Sequence, residues 1–182
     1  MRNSVKSLVW RYSFDMRLFI AIEFNDEIID SLKGVQADLK ECGLRGRFTK
    51  EENLHLTLAF IGEYGNPDKV LDAMERASFR EMPIEISGIG NFGDLYWAGL
   101  ENNPALIAFV KRLRKCLAED DIPFDRKKFS PHVTLVRRGE FIHGRASLPS
   151  SLPEMKMNVK SIALVKSEQG KNGMIYTVLG EA

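Results

Sequence analysis

Two three-residue motifs hold the side chains best suited to chemistry, His55-Leu56-Thr57 and His132-Val133-Thr134. On a strand, residues i and i+2 point to the same face, about 6.5–7 Å apart along the chain. Each histidine therefore shares a face with its threonine. Leu54, Leu56 and Leu58, and in the second motif Val133 and Leu135, point the other way. Imidazole titrates at about pH 6.5, so near neutrality one ring can be neutral and another protonated. That pair suits phosphodiester chemistry: a neutral ring takes a proton from the attacking water, and a protonated ring gives one to the departing ribose oxygen. Thr57 and Thr134 can donate hydroxyl protons to the nonbridging oxygens, where transition-state charge gathers. A strained cyclic phosphate opened in this way would need no metal. The residues alone do not decide which histidine is acid and which is base. A zinc site, the rival use of two histidines, would need a third ligand at recognisable spacing, and neither motif contains an acidic residue or cysteine.

The elements that must position these motifs occur twice. A shift of 77 takes His55 to His132, Thr57 to Thr134, Leu18 to Leu95, Ala21 to Ala98 and Asn25 to Asn102. A shift of 78 takes the apolar stripe Ile28, Leu32, Val35, Leu39 to Leu106, Val110, Leu113, Leu117, each with the i, i+4, i+7 spacing of one helix face. Strand, capped helix and His-x-Thr strand thus recur in one order, at about 17–61 and 94–138, which points to an internal duplication. The apolar face of each motif strand has the lobe's helix to pack on. The polar face needs a different destination, solvent or a cleft between the lobes, and a pseudo-two-fold axis between lobes would line one cleft with both motifs.

The remaining pattern predicts a buried strand at 17–24, a helix from Asn25 to Gly43, a strand at 53–61, and a helix opened by Pro67. Strands follow at 82–89 and 95–100 around the NFGD turn, then a helix from Pro104 and a strand at 131–136. Pro149 and Pro153 mark a loop, and two closing strands are expected at 155–166 and 174–179 around KNG. Residues 1–15 read as an extension outside the core, and 16–182 as one bilobal domain.

The chain has 182 residues, 44% apolar and 28% charged, with a net charge of +1. This is the balance of a soluble globular protein and not of a basic nucleic-acid coat. Phosphate attraction must then come from local clusters. Arg45, Arg47 and Lys50 precede the first motif; Arg126, Lys127 and Lys128 precede the second, and Arg137 and Arg138 follow it. Flanking both motifs, they can form a rim for an RNA backbone. Arg137 has the parity of Leu135, so it reaches the cleft only if its strand ends, twists or bulges. Phe129, Tyr96 and Trp97 could stack on a base, with core packing as their competing role. Cys42 and Cys116 fall late in helices and read as free thiols of a reducing cytoplasm. No apolar run is long enough for a signal peptide or a membrane span. His143, without a threonine partner or repeat mate, is expected on an exposed strand end or loop.

With these motifs in view, the chain resembles the LigT-like RNA 2',3'-cyclic phosphodiesterases of the 2H phosphoesterase superfamily. The resemblance rests on RLFIAIEF, ENLHLTLAFIGE, KKFSPHVTLVRR and the closing SIALVKSEQGKNGMIYTVL, and covers about residues 16–180. It implies an α+β fold of two pseudo-two-fold-related lobes, each an antiparallel sheet with helices on its outer face, enclosing a central cleft. It also implies hydrolysis of a terminal 2',3'-cyclic phosphate to a 2'-phosphate without metal or nucleotide cofactor. Carried onto this sequence, His55 is the acid towards the 3'-oxygen and His132 the base for water. Thr57, Thr134 and Arg137 hold the phosphate, and Arg47, Lys50, Lys127 and Phe129 are candidates for RNA contact. A cytoplasmic monomer acting on RNA ends or a related cyclic nucleotide is expected, with no membrane partner. The alternatives are 2'-5' RNA ligation through the same site in reverse, a small-molecule cyclic phosphodiesterase, and a non-catalytic RNA-end binder.

Overall fold

A computed structural model describes residues 15–142, 148–149 and 152–182. The expected 1–15 extension, apart from Asp15, and His143 lie outside the described residues. In chain order the elements are β1 (Met16–Glu23), α1 (Asp26–Glu41), β2 (Leu44–Phe48), a 3-10 turn (Glu51–Asn53), β3 (His55–Tyr64) and α2 (Pro67–Ala77). There follow β4 (Met82–Phe92), β5 (Leu95–Leu100), α3 (Pro104–Glu119), β6 (His132–Phe141), β7 (Met155–Val159), β8 (Ala163–Gly170) and β9 (Gly173–Glu181).

Local chemistry fixes the helix ends. Asn25, Asn66 and Asn103 each accept a hydrogen bond from a backbone N–H three residues on, at 3.0–3.1 Å, satisfying a donor that the first turn leaves free. Pro67 and Pro104 occupy first-turn positions, where the missing N–H costs nothing. Gly43, with φ +88, turns the chain out of α1 in a conformation that side chains with a Cβ resist.

The strands run in the order β7-β4-β5-β6-β3-β1-β8-β9, all pairs antiparallel, with β2 also pairing with β6. The two halves of this order meet at β3 and β6 through Leu56 opposite Val133, the middle residues of the two motifs. The architecture is α+β with two sheet halves related about this pair, as expected.

Each sequence unit lends its helix to the opposite half. The α1 stripe Ile28, Leu32, Val35 and Leu39 buries against Ala98, Val133, Leu135 and Val136 of β5 and β6. The α3 stripe Leu106, Phe109, Val110, Leu113 and Leu117, joined by Val70 and Met74 of α2, buries against Leu18, Ile20, Leu56 and Leu58 of β1 and β3. Fully burying each such side chain is worth about 1.5–3 kcal/mol. The apolar faces of both motif strands are thereby pinned, and their polar faces are left towards the cleft.

Three expectations need correcting. The 155–166 segment is two strands: β7 pairs with β4, β8 pairs with β1 and β9, and the chain changes sheet halves at 160–162. The sequence marks the switch only by Lys160-Ser161, between the alternating MKMNV and the apolar run IALV, because alternation records faces and carries no information on neighbours. β2 was not expected at all. LRGRF buries only Leu44 fully, so this edge strand lacks an apolar signature. The repeat offset also differs by element. Ala21 lies opposite Thr57 while Trp97 lies opposite Thr134, an offset of 76, and the caps Asn25 and Asn103 differ by 78. Ala98 and Asn102 are therefore not the partners of Ala21 and Asn25; hydrogen-bond register, and not residue identity, sets the correspondence.

Candidate active site

The first histidine sits at the start of β3, directly after the 3-10 turn. His55 Nδ1 lies 2.8 Å from the carbonyl oxygen of Asn53, and Nε2 lies 3.0 Å from Thr57 Oγ1. A carbonyl only accepts, so Nδ1 carries the proton and the neutral ring's lone pair is on Nε2. Thr57 then donates its hydroxyl to that lone pair. The second histidine is held by the same device: His132 Nδ1 donates to the carbonyl of Ser130 at 2.7 Å. Both rings are thus fixed through the carbonyl two residues upstream, with Nε2 left for chemistry.

The two surroundings differ. Phe19 and Tyr176 enclose His55, with ring centroids at 4.8 Å and 5.4 Å. Burial pushes the His55 imidazole below its usual range; the bond to Asn53 opposes this, and the charges of Arg137 and His132 add to the lowering. His132 stands against the edge of Phe92 at 5.4 Å, with Trp97 at 6.5 Å, and Phe92 itself is half exposed. Trp97 reaches this place because Gly90 and Gly99 lie under it. A Cβ on Gly90 would stand 2.3 Å from the indole, and one on Gly99 would meet it at 3.1 Å.

Arg137 reaches the cleft through a bulge. On β6, Thr134 faces Trp97 and Val136 faces Tyr96, so Leu135 is one residue too many. Val136 takes up the buried face with Val133, and Arg137 turns to the face of Thr134. The same bulge occurs in β3, where Thr57 faces Ala21 and Ala59 faces Ile20, leaving Leu58 as the extra residue. It turns Phe60 to the cleft, where Arg17 stacks over its ring at 4.9 Å. Leu58 and Leu135 are 77 apart, so the bulges correspond, as do Phe60 and Arg137.

A residue missed at the sequence level holds the second bulge. Gln36, buried on the apolar face of α1, donates through Nε2 to the carbonyls of Leu135 at 2.9 Å and Thr49 at 2.8 Å. The N–H of Thr49 also donates to the Leu135 carbonyl, at 2.9 Å. The bulge takes that carbonyl out of the ladder, and these two donors satisfy it. The signal in the sequence was a glutamine on the buried stripe beside Leu32, Val35 and Leu39.

Two adjoining cavities, of about 590 and 490 Å³, share His55, Arg137, Gln169, Met174 and Tyr176. The larger adds Thr57 and the aromatic rings of Phe19 and Phe60; the smaller adds Thr134, Arg47 and Lys50. The structure thus brings together His55, Thr57, Thr134, Arg137, Arg47 and Lys50; His132, two residues before Thr134 on β6, lines neither cavity and stands against Phe92 and Trp97. Lys127 and Phe129 line neither cavity. Lys127 offers its carbonyl to Arg114 at 2.7 Å while its ammonium group is exposed near Asp125. Phe129 packs at the edge of the core beneath Arg114, so its flat face is already used. Tyr96 packs on Phe141 and Gly139. Among the described residues, no three His, Cys, Asp or Glu side chains gather where they could share a metal ion. No helix of the described residues is long and apolar enough to cross a membrane.

The chain belongs to the 2'-5' RNA ligase superfamily, a family of phosphoesterases, whose model matches residues 25–171 and spans both motifs. It is similar to an RNA 2',3'-cyclic phosphodiesterase of Thermotoga maritima, 29% identical over 91% of this chain and 94% of that one. A protein of the same description from Thermus thermophilus is 31% identical over 90% of this chain and 88% of its own length. Among solved structures, E. coli LigT complexed with 3'-AMP superposes with a TM-score of 0.78 at 26% identity, covering 92% of this chain and 97% of that one. The fold is LigT-like.

Proposed function

We propose that the chain hydrolyses the 2',3'-cyclic phosphate at the end of an RNA to a 2'-phosphate, without a metal. The observation that carries this reading is the pair of imidazoles, each fixed through Nδ1 so that Nε2 is left for proton transfer, beside Arg137 and two threonine hydroxyls. His132 Nε2 takes a proton from water as the water oxygen bonds to phosphorus. The P–O3' bond breaks, and His55 Nε2 gives its proton to O3'. Thr57 Oγ1, 3.0 Å from His55 Nε2, marks the hydrogen-bonding position that the ribose oxygen takes when substrate binds. Arg137, Thr57 and Thr134 face the nonbridging oxygens. Together these groups supply both proton transfers and the countercharge, so the reading needs no metal.

The free protein's electrostatics refine the acid assignment. Burial, helped by the charge of Arg137, holds His55 below its usual range, so it becomes an acid when the phosphate anion arrives and offsets that charge. Enclosure by Phe19 and Tyr176 makes the protonated ring a strong acid at that moment.

The test is turnover of a short RNA ending in a 2',3'-cyclic phosphate, in EDTA, with the product isomer identified. A 2'-phosphate is expected. A 3'-phosphate would reverse which ribose oxygen receives the proton, and activity that returns only with a divalent ion would overturn the metal-free mechanism. Joining to a 5'-hydroxyl RNA in preference to water would make the reaction a ligation. No product under any of these conditions would leave a binding protein.

A further inference from the structure

The smaller cavity has a feature that one reacting phosphate leaves unexplained. Arg47 on β2 and Arg137 on β6 are directly opposite partners in an antiparallel pair, and both line this cavity. Such partners stand about 4.5–5.5 Å apart at Cα, and like charges so placed repel. Among the described residues, neither guanidinium has a carboxylate within salt-bridge reach. Lys50 adds a third positive charge to the lining, with Glu52 3.5 Å from its ammonium on the outer side. Among the described residues no carboxylate lines the smaller cavity, whereas Asp15, Glu63 and Glu168 line the larger one together with Arg17 and Lys166. The two compartments thus share His55 and Arg137 but differ in charge.

We infer that the smaller cavity is a second anion subsite, in which Arg47 binds the phosphodiester immediately 5' of the terminal nucleotide while Arg137 serves the reacting phosphate. The strand then leaves the site past Lys50. A second negative charge one cross-strand step from the first is the ligand that two opposed, otherwise unneutralised arginines favour. This rests on the hydrolase reading above and adds to it a requirement for an oligonucleotide, with its polarity along the cleft.

The experiment compares two dinucleotides ending in a 2',3'-cyclic phosphate, one with an ordinary phosphodiester linkage and one with an uncharged methylphosphonate linkage. Size, bases and reacting group are the same, so only the charge proposed to meet Arg47 changes. The charged form is expected to have a kcat/KM about 10–100-fold higher in the wild type, the usual range for hydrogen bonds to an ionised group. In Arg47→Ala this ratio falls towards one, and Arg47→Lys keeps part of it. Equal turnover of both forms by the wild type, or a ratio undiminished in Arg47→Ala, would overturn the subsite and leave the hydrolase reading standing. Turnover of neither form would remove both.

Discussion

The two halves of the cleft use one device and then diverge at matched positions. Each anchors a histidine through a carbonyl two residues upstream, and each bulges its strand at the leucine after the threonine. The residue that the bulge turns inward is Phe60 in one half and Arg137 in the other. Around His55, Phe19 and Tyr176 exclude water. Around His132, the neighbouring Phe92 is half exposed, and the ring faces a more open edge. β2 is paired only to the second half, and it brings Arg47 with it. A symmetric frame alone would give two identical imidazoles, which is a poor start for a reaction that needs one proton donor and one acceptor. The divergence gives the two rings different surroundings, and it puts Arg137 and Arg47 in the second half.

The widest break in this comparison is removal of either ring. His55→Ala and His132→Ala are each expected to lower kcat by about 10²–10⁴-fold, with the double variant well short of the product of the two losses. Steady-state rates with thermal unfolding curves check this, since neither side chain belongs to the packed stripes. Near-full activity in either variant would show that the halves are not both needed. Next in size, Arg137→Phe gives the second half the residue of the first. A loss of about 10–100-fold in kcat/KM is expected from the missing charged contact. Measuring Phe60→Arg beside it tests direction: if an arginine in the first half restored the rate in the Arg137→Phe background, the side on which the charge stands would not matter.

What the sequence made legible follows from periodicity. Two His-x-Thr strands, the two helix stripes and their asparagine or proline starts are all written in local spacing, and each stands where spacing put it. The bulges are not. Leu58 and Leu135 look like any inward leucine, and only the register with β1 and β5 shows that each is the extra residue. β2 was hidden because an edge strand with two arginines and a glycine has no apolar alternation to read. Phe19 and Tyr176 could not be linked to His55 from spacing alone, since they come from β1 and β9, at opposite ends of the chain. The exchange of helices between halves is a property of connection and not of pattern. Of the basic rim, Arg47 and Lys50 face the cleft. Lys127 and Phe129 were drawn into the Arg114 corner, where an exposed charge and a half-packed ring gave no warning of that use.

Gln36 separates the halves in a subtler way. Its repeat mate by the helix offset of 78 is Arg114, which reaches the carbonyl of Lys127 and not a bulge. Gln36→Leu keeps the volume but removes the donor to Leu135 and Thr49, so a loss of about 1–3 kcal/mol in unfolding free energy is expected. If the bulge exists to aim Arg137, kcat/KM falls as well, and that additional fall disappears when Gln36→Leu is combined with Arg137→Phe. Additive losses in the double variant would make any effect of Gln36 on rate independent of Arg137, and an unchanged kcat/KM in Gln36→Leu would confine it to stability.

The smallest effect, a slope of about tenfold per pH unit, carries the assignment of roles. In His132→Ala the residual kcat/KM depends on the free enzyme's His55. Burial, helped by Arg137, lowers that group's pKa from 6.5. As an acid, His55 must be protonated, so the residual rate falls as pH rises through the lowered value, on the acidic side of 6.5. As a base, it must be neutral, and the rate would instead rise through the same window. Stability runs in one direction under either role. The unfolded chain binds the His55 proton more readily than the folded one, so His55 lowers unfolding free energy as pH drops below about 6.5. The pH dependence of unfolding in wild type minus that in His55→Gln isolates this contribution and confirms that the rate limb belongs to the same group. Replacing Tyr176 with a small residue admits water to the ring and moves both limbs back towards 6.5.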